Sequence, residues 1–141
     1  MHNHLRVVLD TNILIRAVSS RSHTSVILDA LYNQEFTLCI STDILLEYEE
    51  KISEIYDRDT AELTISSILM LPNIQQTSIY FDLRLIIPDA DDDKFVNCAF
   101  SANADYLVSD DRHFRILADI DFPKIVCLTF EQFKALLKRN S

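Results

Sequence analysis

The order of elements in this 141-residue chain predicts an α/β fold of three layers, α/β/α, around a central, mostly parallel five-stranded sheet. Three observations carry that expectation. Short, uniformly apolar runs read as strands buried on both faces. They alternate with longer stretches whose apolar residues recur at helical spacing. Acids stand just after the first and fourth of the strands, at the carboxyl ends where open α/β sheets place their ligands.

The first strand is the run Val7, Val8 and Leu9, closed by Asp10. Thr11 and Asn12 then read as a turn and N-cap for a helical stretch from Ile13 to about Asn33. TLCIS, Thr37 to Ser41, is the second strand. The helix TDILLEYEEKISEIY follows, with Ile44, Leu45, Tyr48, Ile52 and Ile55 at helical spacing and Ser41 or Thr42 as its cap. A further helix covers Thr60 to Leu71 and stops at Pro72. TSIYF, Thr77 to Phe81, reads as the third strand. DADDDKFVNCAFSANA is a capped helix, DYLVS the fourth strand, RHFRILA a short helix, KIVCLT the fifth strand and FEQFKALLKR a closing helix. No linker, internal repeat or low-complexity segment interrupts the series, so residues 1–141 read as a single domain.

Composition narrows the function. With 48% hydrophobic and 25% charged residues the chain reads as a soluble globular protein. No apolar run approaches the roughly 18 residues that span a bilayer, so no membrane is expected as a partner. The first strand begins almost at once, which leaves no room for a signal peptide. Cys39, Cys98 and Cys127 are odd in number, far apart and set among apolar neighbours, as buried reduced thiols of a cytoplasmic protein would be. A net charge of −9 argues against a basic nucleic-acid-binding surface. It leaves room for an enzyme that meets phosphates through cations held by carboxylates. There is no glycine, which excludes Gly-rich phosphate loops and dinucleotide fingerprints. Left-handed positions at helix ends should then fall to asparagines such as Asn33 and Asn103. His2 and His4 read as an unstructured end rather than a metal site.

Four places put acids where a parallel sheet would gather them: Asp10, Glu47, the cluster Asp89 to Asp93, and the pair Asp110–Asp111. Carboxylates a few ångströms apart repel and raise one another's pKa. A hard divalent cation, Mg²⁺ or Mn²⁺, relieves that repulsion, lowers the pKa of water and clamps a phosphodiester. Capping and solvation are the competing readings. Asp10 could simply cap a helix, and the central acids sit at a helix start that stabilises negative charge. Glu47 and Glu49 both flank the apolar stripe of their helix, while Glu50 points away. In the central helix, Phe95, Cys98, Ala99 and Ala102 set the phase. Asp92 then lies roughly 70° from the stripe and can reach a cleft, whereas Asp93 lies nearly opposite and should point into water. Asp89 and Asp91 read as caps.

The segments VVLDTNILI, STDILLEYEE, IPDADDDKFVNCAFSANADYLVSDDRHF and VCLTFEQFKALL, in that order, resemble the PIN-domain ribonucleases. The likeness is to the VapC-like branch, toxins of bacterial toxin–antitoxin pairs. It covers nearly the whole chain. It implies a PIN-like fold and a metal-dependent phosphodiesterase that cuts RNA, with a cognate antitoxin protein as partner. By motif, the resemblance places its acids on Asp10, Glu47, Asp92 and Asp111. It implies Asp10, Asp92 and Asp111 as metal ligands, with Glu47 holding metal or orienting water. Asn12 and Ser109 fall on small polar positions that support the site. Asn103 stands where glycine is usual, and Asp110 adds an acid beside Asp111, leaving open which of that pair serves. A haloacid-dehalogenase-type phosphatase also opens with a strand and an aspartate. It needs a general acid two residues later, where this chain has Asn12. A catalytically silent PIN-like binding module is the other rival. Leu46, apolar on the outward side of its helix, points to a contact surface such as that of a homodimer.

Overall fold

The computed structural model describes residues 5–19, 25–85 and 90–140. His2, His4 and Asp89 lie outside these residues. Five strands form one sheet, all parallel: β1 (Leu5–Leu9), β2 (Phe36–Ile40), β3 (Ile74–Gln76), β4 (Tyr106–Val108) and β5 (Cys127–Leu128), in the order β3-β2-β1-β4-β5. Helices α1 (Thr11–Val18), α2 (Val26–Tyr32), α3 (Thr42–Ile55), α4 (Arg58–Leu69), α5 (Asp93–Ser101) and α6 (Phe130–Asn140) complete the α/β/α layers. Short 3-10 segments cover Ala90–Asp92 and Arg112–Asp119. No helix among the described residues is long and apolar enough to cross a membrane.

The strand order fixes where a site can form. The chain builds outward from β1 to β2 and β3, then returns to place β4 and β5 on the other side of β1. Connections on either side of β1 therefore diverge at the carboxyl ends of β1 and β4, opening the crevice in which α/β sheets bind ligands. Val7, Val8 and Leu9 are fully buried, in register with Tyr106, Leu107 and Val108. One step further along that register, Asp10 meets Ser109.

Four sequence expectations are corrected. The first helical stretch is not continuous: α1 ends at Val18 and α2 starts at Val26. Helix α1 also begins at Thr11, with Asp10 itself in the N-cap position, so Thr11 and Asn12 are its first turn rather than a preceding turn. The third strand is Ile74–Gln76 and not Thr77 to Phe81. Strand pairing needs a partner, and β2 ends at Ile40, whose carbonyl accepts the Thr77 N–H at 2.7 Å. Beyond it Ser41 turns away to cap α3, accepting the Ile44 N–H, and residues 78–85 leave the sheet with Tyr80 and Phe81 exposed. Asn73 anchors the new start, its amide donating to the carbonyls of Leu31 and Phe36 at 2.9 and 2.7 Å.

The fourth correction concerns the helix ends. Asn103 does take the left-handed conformation (φ 52°), but at the end of α2 the position falls to Gln34 (φ 60°) and not Asn33. Both ends close in the same way. Gln34 N–H reaches Leu31 O and Glu35 N–H reaches Ala30 O, while Asn103 and Ala104 reach Phe100 and Ala99. These paired bonds satisfy the last carbonyls of each helix, and it is the residue one past the cap that must go left-handed. Cys39 and Cys98 are buried and Cys127 half-buried, all as free thiols.

Candidate active site

Asp10 emerges from β1 as the N-cap residue of α1, yet its side chain makes no capping hydrogen bond. Its backbone carbonyl receives the Ile13 and Leu14 N–H groups, and its own N–H bonds the Val108 carbonyl at 3.0 Å. The carboxylate is therefore left for the cleft. Ser109 Oγ donates to Asp10 Oδ2 at 2.7 Å and accepts the Asp111 N–H at 3.0 Å, so one hydroxyl ties the ends of β1 and β4 together. Asp10 is only 6% exposed. Burial lifts its pKa to about 6. The Ser109 hydroxyl and the Thr11 backbone oppose that rise, and the negative charges of Asp111 and Glu47 add to it. Among the described residues no cationic side chain bonds the Asp10 carboxylate.

Asp111 accepts the His113 N–H on Oδ1 at 2.9 Å, which caps the 3-10 segment. His113 Nδ1 lies 3.4 Å from Asp111 Oδ1 and 3.6 Å from Asp92 Oδ2. One ligand atom each from Asp92, Asp111 and His113 falls within a 4.8 Å sphere of mutual separation, close enough to share one ion. The half-buried Asp92 arrives there from the 3-10 turn that leads into α5. Two carboxylates and an imidazole make an oxygen-rich donor set beside the buried Asp10, and that set fits a divalent cation.

The adjacent Asp110 faces elsewhere. Its Oδ2 pairs with Arg16 at 2.6 Å and its Oδ1 accepts the Phe130 N–H at 2.8 Å, binding α1 to the start of α6. Arg16 also stacks over the Phe130 ring at 4.1 Å. Of the pair the sequence left open, Asp111 is the one that joins Asp92.

Glu47 enters from α3 on the β2 side. The neighbouring Tyr48 is fully buried and donates to the Leu9 carbonyl at 2.5 Å, which fixes α3 against the end of β1. Glu47 is thereby held half-buried, while Glu49 and Glu50 are exposed. Its Oε2 accepts the Thr11 hydroxyl and its Oε1 pairs with Lys94 Nζ at 2.7 Å. Burial alone would pull the Lys94 pKa down, but the hydrogen bond and charge of Glu47 outweigh it and the net shift is upward. Asn12 is exposed on the first turn of α1, and no side-chain hydrogen bond holds it among the described residues.

Asp93 departs from its expectation. It is 7% exposed, not pointed into water. Asp93 is the first residue of α5, so its phase is helical, but the outer face of the helix is covered: Leu83 N–H bonds Asn97 Oδ1 at 3.0 Å, laying residues 82–85 over the face that Asn97 and Asp93 share. Three contacts escaped the sequence reading: those of His113 and Lys94, and that of Thr11, which read only as a turn residue. Each residue lies within two residues of a chosen acid, and that spacing is the only signal that could have raised them.

Taken together, the fold and this edge define a parallel α/β domain with a carboxylate-rich, divalent-cation-compatible crevice between β1 and β4. The PIN domain family model matches residues 6–113, and the chain belongs to that family of nucleases. Among solved structures it is similar to VapBC2 from Rickettsia felis bound to a DNA fragment from their promoter, with 20% identity, 89% of this chain and 98% of that chain covered and a TM-score of 0.61. It is also similar to PAE2754 from Pyrobaculum aerophilum, with 16% identity, 96% and 90% coverage and a TM-score of 0.57. No curated protein matches the chain by sequence.

Proposed function

We propose that the chain is a metal-dependent endoribonuclease, using Mg²⁺ or Mn²⁺ to hydrolyse RNA phosphodiester bonds, and that it serves as the toxin of a toxin–antitoxin pair. The observation that carries the nuclease reading is the convergence of Asp92, Asp111 and His113 beside the buried Asp10. Asp10, Asp92 and Asp111 would hold the cation. A bound divalent cation supplies Lewis acidity, making water more acidic and offsetting charge that builds on the phosphate. Ser109 keeps the Asp10 carboxylate aimed at the crevice. Thr11 and Lys94 fix both oxygens of Glu47, which then presents a rotamer already selected before substrate arrives. Asp110 acts outside this set, holding the backbone on which Asp111 sits.

The toxin role draws on the likeness to VapBC2, a two-part name that suggests a protein partner for this chain as well. The test is incubation of purified protein with single-stranded RNA. Cleavage should appear with Mn²⁺ or Mg²⁺ and vanish with EDTA; full-rate cleavage without metal would remove the reading.

A further inference from the structure

On the β5 side of Asp111 a cavity of about 330 Å³ opens, within the size range of small-ligand sites. Ser109, Asp111 and the Arg16-paired Asp110 line it toward the acids, Ile125 and Val126 give it apolar surface, and Arg115 and Lys124 line it as well. Both cations are exposed. Among the described residues neither forms an ion pair, unlike Arg16, Arg84 and Lys94. The surrounding sequence is unusual for this chain. Residues 110–141 hold six Lys and Arg against five acids, whereas residues 1–109 hold seven against seventeen. The tract that supplies most of this cavity therefore carries a net charge of +1 in a chain of net charge −9.

A larger cavity of about 850 Å³ lies at the opposite flank, beside Glu47. It is lined by six carboxylates, Asp43, Glu47, Glu50, Asp82, Asp91 and Asp93, and each of its two cations is paired with an acid. A polyanion would be repelled there far more than on the β5 side, where Arg115 and Lys124 face Asp111 and an Asp110 already paired with Arg16. Resting on the ribonuclease reading above, we propose that the cavity beside Asp111 is the subsite for the nucleotide flanking the scissile phosphate of single-stranded RNA. Arg115 and Lys124 take backbone phosphates, and the Ile125 and Val126 surface takes the face of the base. The wall shared with Ser109 and Asp111 places that nucleotide next to the reacting phosphate.

The test compares wild type, the double variant Arg115→Ala/Lys124→Ala, the conservative Arg115→Lys/Lys124→Arg, and a control of equal charge change on the α3–α4 side, Lys51→Ala/Arg58→Ala. Cleavage kinetics with Mn²⁺ are read beside fluorescence anisotropy of a labelled oligouridine RNA at several salt concentrations. In Arg115→Ala/Lys124→Ala, KM and Kd should rise about tenfold or more with kcat little changed. The salt slope of binding should fall by about 0.7 for each phosphate that is no longer neutralised. Conservative and control variants should stay near wild type, and Mn²⁺ affinity should be unchanged in all. Equal rises in the control variant, or an unchanged KM and slope in the double variant, would overturn the subsite while leaving the nuclease reading intact. Wild-type binding that depends on Arg115 and Lys124 without any cleavage would support the subsite and overturn the ribonuclease. A wild type that neither binds nor cuts the RNA overturns both.

Discussion

On the β2 side of the crevice, Glu47 lies between the Thr11 hydroxyl and the Lys94 ammonium, with both carboxylate oxygens engaged by donors of the same chain. On the β4 side, Asp111 lies close to Asp92 and its charge bears on Asp10. There His113 Nδ1 lies 3.6 Å from Asp92 and 3.4 Å from Asp111, and burial lifts the pKa of Asp10 to about 6. Both flanks are built from carboxylates at the carboxyl edge of the sheet. They differ in what neutralises the charge. Lys94 makes the Glu47 flank self-sufficient, whereas among the described residues no cationic side chain bonds the Asp10 carboxylate. On the proposed reading, the Asp10 flank is where a divalent cation would gain most.

The sharpest way to test that contrast is to remove a carboxylate from the needy flank. Asp92→Asn should lower metal-dependent cleavage about 1000-fold, since a bound cation supplies several kcal/mol of charge stabilisation. Circular dichroism should show an unchanged fold. An active Asp92→Asn protein would mean that the cation sits elsewhere.

Asp10 gives the next largest effect, and it concerns stability. The unfolded chain loses the Asp10 proton near 3.8 and the folded chain near 6, so the folded state binds more protons between those values. The apo protein should thus lose stability as pH rises from about 4 to about 6, by an amount on the order of 3 kcal/mol for this group. Asp10→Asn should flatten that loss and raise the apo Tm at pH 7, while abolishing the Tm gain that Mn²⁺ gives wild type by mass action. Denaturant melts at pH 4.5 and 7, with and without Mn²⁺, check both signs. A lower apo Tm at pH 7 in Asp10→Asn would contradict the argument that burial of the Asp10 charge, aided by its acidic neighbours, is costly.

The self-sufficient flank should behave in reverse. Lys94→Met keeps the stem but strips Glu47 of its counter-ion, at a cost of about 1–2 kcal/mol of apo stability. Affinity for Mn²⁺ should hold or rise, because a positive charge has left the crevice. Titration calorimetry would expose the opposite result, a fall in affinity. The smallest effect falls on the imidazole: His113→Ala should weaken Mn²⁺ binding about tenfold, as loss of a neighbouring ligand or its support commonly does. No change at all would remove His113 from the site.

Much of the fold is readable because its signals are local. The apolar runs before Asp10 and Ser109, the Ser41 cap and the Asn103 helix end depend on residues a few positions apart. The acids at strand ends are equally visible, and Asp10, Asp92 and Asp111 stand out from their positions along the chain. What failed required partners distant in sequence. TSIYF has the composition of a strand, but the length of β2 decides where pairing stops. Asp93 has the phase of a wet face, but residues 82–85 cover it.

The sequence by itself determined the alternation of strands and helices, the parallel sheet and the acids at its carboxyl edge, because periodicity and capping act over one or two turns. Tertiary structure alone decided what each acid of the Asp110–Asp111 pair is bonded to. Asp110 and Asp111 differ by one position, yet Arg16 and the Phe130 N–H claim the first, while Asp92 and His113 gather around the second. Lys94 reaches Glu47 across 47 residues for the same reason. Charges settle according to distance in space and access to water, and neither is written in the order of residues along a chain.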